Sequence, residues 1–202
     1  AQAREAEIVL INETAEPVPL LWSATVTDPA GRLLAEFDGR VRVDSGAVVE
    51  TARLPLDAYY GETGGCDALV WLRVAREGTP EQLENENLLA PDPPKYWRIE
   101  APEVTVTPLE TAAIETLPTA VAAPLAWGSG PVRRCRVSAT GSAAFWLHPD
   151  PAADWAASDA FFHLRPGESR ELWLRPRTDA SGTAPEAAVP DFRSLWDLTP
   201  VG

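Results

Sequence analysis

The chain has 202 residues, of which 45% are apolar and 23% charged, a balance that describes a folded globular protein and excludes a disordered or fibrous one. Its formal net charge is −13, and Lys95 is the single lysine, so arginine carries the remaining positive charge. Such a field repels phosphate backbones and anionic lipid, so neither nucleic acid nor a membrane is an expected partner, while neutral ligands such as sugars stay open.

No apolar run approaches the ~20 residues of a membrane-spanning helix. The first residues carry neither a basic nor an apolar leader segment. Methionine is absent, so the sequence reads as a processed, truncated or excised piece of a longer chain. Two cysteines, Cys66 and Cys135, fall in different expected domains, and no bridge between them is expected. His148 and His163 do not stand at metal-ligand spacing, so neither a metal nor a cofactor is expected.

In chain order, the apolar pattern is short and mostly of period two. Strands are expected at residues 7–11, 20–27, 32–37, 41–43, 47–56 and 68–75. Asp28-Pro29-Ala30-Gly31 is turn chemistry, and Asp38-Gly39 reads as a second turn. Residues 81–92 are polar and acidic, followed by a proline-stiffened path that places a domain boundary near Ala101-Pro102. A second set of strands is expected at 103–107, 120–127, 132–137, 143–147 and 170–174, with Pro166-Gly167-Glu168 as a tight turn. Helix-like residues are confined to 151–157 and the tail. There Phe192, Leu195 and Trp196 stand at i, i+3 and i+4, so one helical turn would gather them on one apolar face able to dock on another surface. Twenty prolines favour strand edges and loops over helices. The expected fold is all-β: two tandem antiparallel β-sandwiches at 1–101 and 102–178, then a linker and short C-terminal tail at 179–202.

Two stretches go beyond a generic sandwich. The first runs from Val70-Trp71-Leu72 through Leu83-Glu84-Asn85-Glu86-Asn87-Leu88-Leu89 to Pro94-Lys95. The second joins Phe145-Trp146-Leu147, Ser158-Asp159-Ala160-Phe161-Phe162 and Leu164-Arg165-Pro166-Gly167-Glu168, with Ala160 where the pattern more often has Asn. Together they resemble the C-terminal immunoglobulin-like domains of β-mannosidase-like enzymes of glycoside hydrolase family two. The resemblance implies immunoglobulin-like sandwiches that are accessory to carbohydrate degradation. It also implies a catalytic barrel, outside this chain, as their partner and as the seat of the catalytic carboxylates. No catalytic residue is therefore assigned here.

The residues themselves offer little chemistry. Glycoside hydrolysis uses two carboxyl groups about 5–10 Å apart. Pairs such as Glu81 with Glu84, or Asp154 with Asp159, lie in loop-like segments and read as solvated surface. No Gly-x-Ser-x-Gly elbow occurs. Eight tryptophans are many for this length, and a flat indole stacks well on the C–H face of a pyranose. Trp22, Trp71, Trp146 and Trp173 fall inside strand patterns. Trp127 and Trp155 lie beside loops and are the candidates for carbohydrate contact, with Asp154 able to bond hydroxyls. A glycan is thus a second expected partner, and the rival reading is a free-standing carbohydrate-binding or surface-adhesion module. Asn12-Glu13-Thr14 matches a glycosylation acceptor pattern that arises often by chance.

Overall fold

A computed structural model describes residues 4–61, 65–80, 83–128, 130–177 and 189–198. It is mostly β and all its sheets are antiparallel. The chain divides into two units, Ala1–Arg98 and Ile99–Gly202.

In the first unit, β1 (Glu5–Ile11) pairs with β4 (Val48–Pro55), and a four-stranded sheet runs in the order β3 (Leu33–Val43), β2 (Val18–Thr27), β5 (Leu69–Arg76), β6 (Leu83–Leu89). Alternation along β1 buries Ala6, Ile8 and Leu10 against Val18, Leu20, Trp22, Ala24 and Val26 of β2, which closes a sandwich core. Each fully buried Leu or Val of such a core contributes roughly 1.5–3 kcal/mol. The turn at Asp28–Gly31 forms as its residues dictate. Gly31 sits at φ +93° and donates its N–H to the Asp28 carbonyl at 2.9 Å.

Asp38-Gly39 is not a turn; it lies within β3. Gly39 is the register partner of Trp22, and a Cβ at Gly39 would sit 2.7 Å from the indole. The glycine makes room for a buried ring across the strands instead of reversing the chain. The polar run after residue 81 is also part of the sheet from Leu83, as edge strand β6, where one side of the strand faces solvent and polar residues cost little. Asn12, the candidate acceptor, is buried. Its amide nitrogen donates to the Glu16 and Val43 carbonyls and its oxygen accepts from the Thr14 N–H and hydroxyl. It is a turn brace.

In the second unit, a four-stranded sheet runs β10 (Trp155–Ala157), β12 (Ser169–Pro176), β8 (Val132–Thr140), β7 (Glu103–Ala112). A three-stranded sheet runs β11 (Phe162–Leu164), β9 (Ala144–Pro149), β13 (Phe192–Arg193). Cys135, Val137 and Ala139 of β8 and Leu172 and Leu174 of β12 pack against Ala144, Leu147, Phe162, Leu164 and Phe192. The turn at 165–168 forms as expected: Gly167 takes φ +83°, and the Glu168 carboxylate accepts from the Arg165 backbone N–H and guanidinium.

Three expectations fail here. Residues 120–127 are not a strand. After Pro118, whose ψ is 143°, the chain turns into α1 (Thr119–Ala122) and a 3-10 turn at Ala123–Leu125. Alanine favours helix, and Pro124 sits in the first turn, where its missing N–H is no loss. This excursion lays Ile114, Leu117 and Leu125 over Val132, Trp173 and Ala156, a second small core on the outer face of the four-stranded sheet. Residues 151–157 are not a helix: a 3-10 turn at Pro151–Ala153 gives way to β10. Nor does the tail form one helical face. Phe192 is a buried strand residue beside β9, whereas Trp196 is exposed in a 3-10 turn at Leu195–Leu198. The expected linker falls largely on residues 178–188, outside the described residues. Among the described residues, no helix is long and apolar enough to cross a membrane.

Candidate functional site

The three residues read as carbohydrate contacts converge on the C-terminal end of β12. Gly128, next to Trp127, lies so close to that strand that a Cβ would meet Arg175 Cγ at 2.7 Å and the Pro176 carbonyl oxygen at 2.8 Å. Arg175 in turn donates from Nε to the Gly130 carbonyl (3.0 Å) and from Nη1 to the Leu125 carbonyl (3.2 Å). Trp127 therefore stands on a fastened loop, with its indole 85% exposed.

Asp154 takes the left-handed conformation (φ +53°), which Asp tolerates, and its carbonyl accepts the Arg177 N–H at 2.8 Å. Its side chain is exposed. Trp155 is not at the surface as expected. It pairs with Pro176 across β10 and β12, which turns its ring into the core at 8% exposure, with the Arg133 guanidinium 5.4 Å from the ring centre. An indole that far inside cannot stack on a sugar, so of the three only Trp127 and Asp154 present side chains to solvent.

A second group of rings went unnoticed in the sequence. Trp146 on β9 and Phe161 just before β11 both adopt positive φ (+51° and +63°). Bulky residues rarely do so, at a cost of about 1–3 kcal/mol each. Two hydrogen bonds hold them: the Trp146 N–H donates to His163 Nδ1 (3.0 Å), and the Phe161 N–H donates to the Leu147 carbonyl (2.7 Å). Phe161 is left 63% exposed, its ring 5.3 Å from that of His148. Burial pushes His163 down to about 4, so the ring is neutral near pH 7, with Nδ1 as acceptor and the proton on Nε2. The sequence signal was Ala160-Phe161 directly after Ser158-Asp159, a bulky residue at a turn position.

Several other ionisable groups are tied up in structure. Asp159 accepts from Arg170 at 2.7 Å. Glu171 bridges Arg134 and Arg136 on the outer face of the sheet, which holds its carboxyl below the usual range, the Arg136 hydrogen bond first. Both cysteines are free and buried, and burial pushes the Cys135 thiol up to about 11 and raises that of Cys66. Among the described residues, no group of three or more His, Cys, Asp or Glu is placed to hold a metal ion.

The fold thus places the chain in the class of all-β proteins built from antiparallel sandwiches. No family model and no curated protein matches the sequence. Solved structures do share the fold. One is a β-D-mannosidase from Dictyoglomus thermophilum (TM-score 0.59, 10% identity), matched over 96% of this chain and 19% of that one. Others are two structures of one enzyme, described as an exo-β-D-glucosaminidase (TM-score 0.55, 14% identity) and as the exo-chitosanase of Amycolatopsis orientalis (TM-score 0.53, 15% identity), each matched over 85% of this chain and 22% of the other. The chain spans about a fifth of the length of these glycosidase chains.

Proposed function

We propose that this chain forms the non-catalytic, immunoglobulin-like accessory domains of a β-mannosidase-like glycoside hydrolase in carbohydrate degradation, with the catalytic barrel on polypeptide outside it. The observation that carries the reading is fold similarity over 85–96% of this chain to only 19–22% of the chains of two glycosidases. Such a segment can brace a catalytic domain without contributing a reacting group. The reading frame around Ala1 is expected to encode a barrel, and the purified chain to leave 4-nitrophenyl β-D-mannopyranoside uncleaved. Turnover that disappears on substitution of one of the chain's own carboxylates would overturn this proposal.

A second reading, a free-standing carbohydrate-binding module, is favoured by the exposed indole of Trp127 with Asp154 at the same end of β12. It requires a saturable isotherm with a neutral oligosaccharide that collapses in Trp127→Ala. Flat titrations across mannan, glucan and chitin oligomers count against it.

A further inference from the structure

The α1 excursion of the second unit has a surface unlike the rest of this acidic chain. Residues 116–132 carry no Asp, Glu, Lys or Arg, the longest such run in the sequence. Within it, Ala120, Ala123, Pro124, Ala126 and Pro131 are exposed, as is Trp127. Small, uncharged side chains about one protruding indole have the composition of the centre of a protein–protein contact, where charges are depleted and a Trp supplies the anchor. A sugar site would instead need several hydroxyl-bonding groups around the ring, and the run offers mainly Ala, Pro and Gly. The loop is also set in advance. Arg175 holds the carbonyls of Leu125 and Gly130, Gly128 fits against β12 only because it lacks a Cβ, and Leu125 is fully buried beneath. Little loop entropy is then lost when the indole is covered.

We propose that Trp127 and the uncharged residues flanking it in sequence at 116–128 and 130–132 form the seat of a protein–protein contact, and that the occupant is an uncharged apolar surface with a pocket for the indole, supplied by the rest of the same polypeptide. This rests on the accessory-domain reading, because the chain matches only 19–22% of the glycosidase chains whose fold it shares. A second copy is disfavoured, since each brings a charge of −13 to the encounter.

The test is hydroxyl-radical footprinting with peptide-resolved mass spectrometry, comparing this chain alone with the full-length gene product. Trp127 is expected to oxidise readily in the isolated chain and about tenfold more slowly in the full-length protein, as befits a ring moved from solvent to a contact centre. In full-length Trp127→Ala, amide exchange across 116–131 should rise towards the isolated-chain rate while exchange in β8 and β12 stays unchanged, a pattern that a folding defect would not give. Equal oxidation of Trp127 in both proteins overturns the inference and leaves the accessory-domain reading standing. Protection that grows with the concentration of the isolated chain assigns the seat to a second copy, and protection of the isolated chain by mannobiose or chitobiose assigns it to sugar; either result overturns the proposal. A gene product no longer than this chain overturns both readings together.

Discussion

In the first unit the two-stranded sheet leaves Val9, Ile11 and Val48 exposed on its outer face, beyond which Arg53 gathers Glu5, Glu7 and Glu50. In the second unit the outer face of the four-stranded sheet is roofed at one end by the α1 excursion, and only further along do Arg134, Arg136, Glu110 and Glu171 form a charged ladder. Both units bury an inner core between sheets; among the described residues the second adds a small core beneath the excursion, whereas in the first Leu69, Trp71 and Ala75 of β5 are buried outside the inner core. The outer face of the two-stranded sheet is left open, its exposed apolar residues flanked by charge. Roofing a face costs the ordering of some fifteen more residues, roughly 1–2 kcal/mol each in backbone entropy, and so calls for buried apolar contacts beneath.

The sharpest way to break this comparison is to empty the roof. Leu125 is fully buried between the excursion and Val132. Leu125→Ala should destabilise the second unit by about 2–5 kcal/mol in denaturant titrations. A loss below ~1 kcal/mol would mean that the excursion rests loosely on the sheet.

The next effect concerns the strained edge that, among the described residues, the second unit alone carries. His163 stays neutral in the folded protein down to about pH 4, held there by burial, whereas the unfolded chain takes up its proton near pH 6.5. Between these values the unfolded state binds the extra proton, so stability is full above about pH 6.5 and drains as the pH falls towards 4. The stability difference between wild type and His163→Gln should therefore shift by roughly 2–3 kcal/mol between pH 7 and pH 4. A difference that does not change with pH would show that the imidazole is not desolvated beneath Trp146.

The smallest effect lies in the first unit. Gly39→Ala places a Cβ against the Trp22 ring and should cost about 1–3 kcal/mol, because a well-packed core resists added volume. Gly78→Ala, where nothing lies within 4 Å, serves as the control and should leave the melting temperature nearly unmoved. Equal behaviour of the two variants would remove the indole from the account of why β3 runs unbroken.

Much of the fold was legible from local pattern. Alternation in β1, β2 and β8 announced which side chains point inward, and Asp28–Gly31 and Pro166-Gly167 announced their turns, because those conformations depend on few neighbours. Asp38-Gly39, residues 120–127 and 151–157 misled for a common reason. Gly39 answers to Trp22 across the strands, the alanine-rich run answers to the sheet beneath it, and Trp155 answers to Pro176. The candidate site divides the same way: Trp127 beside a glycine loop was readable as exposed, while Trp155, only one residue past a loop, was turned inward by its pairing with β12.

By itself, then, the sequence determined an all-β chain, its acidic surface and its principal turns, since composition, period-two alternation and Gly-Pro chemistry act within a few residues. Only the tertiary structure decided which rings are covered, that a helical excursion roofs one sheet, and that Trp146 and Phe161 accept strained backbone, because each depends on a partner brought near by sheet register across many intervening residues.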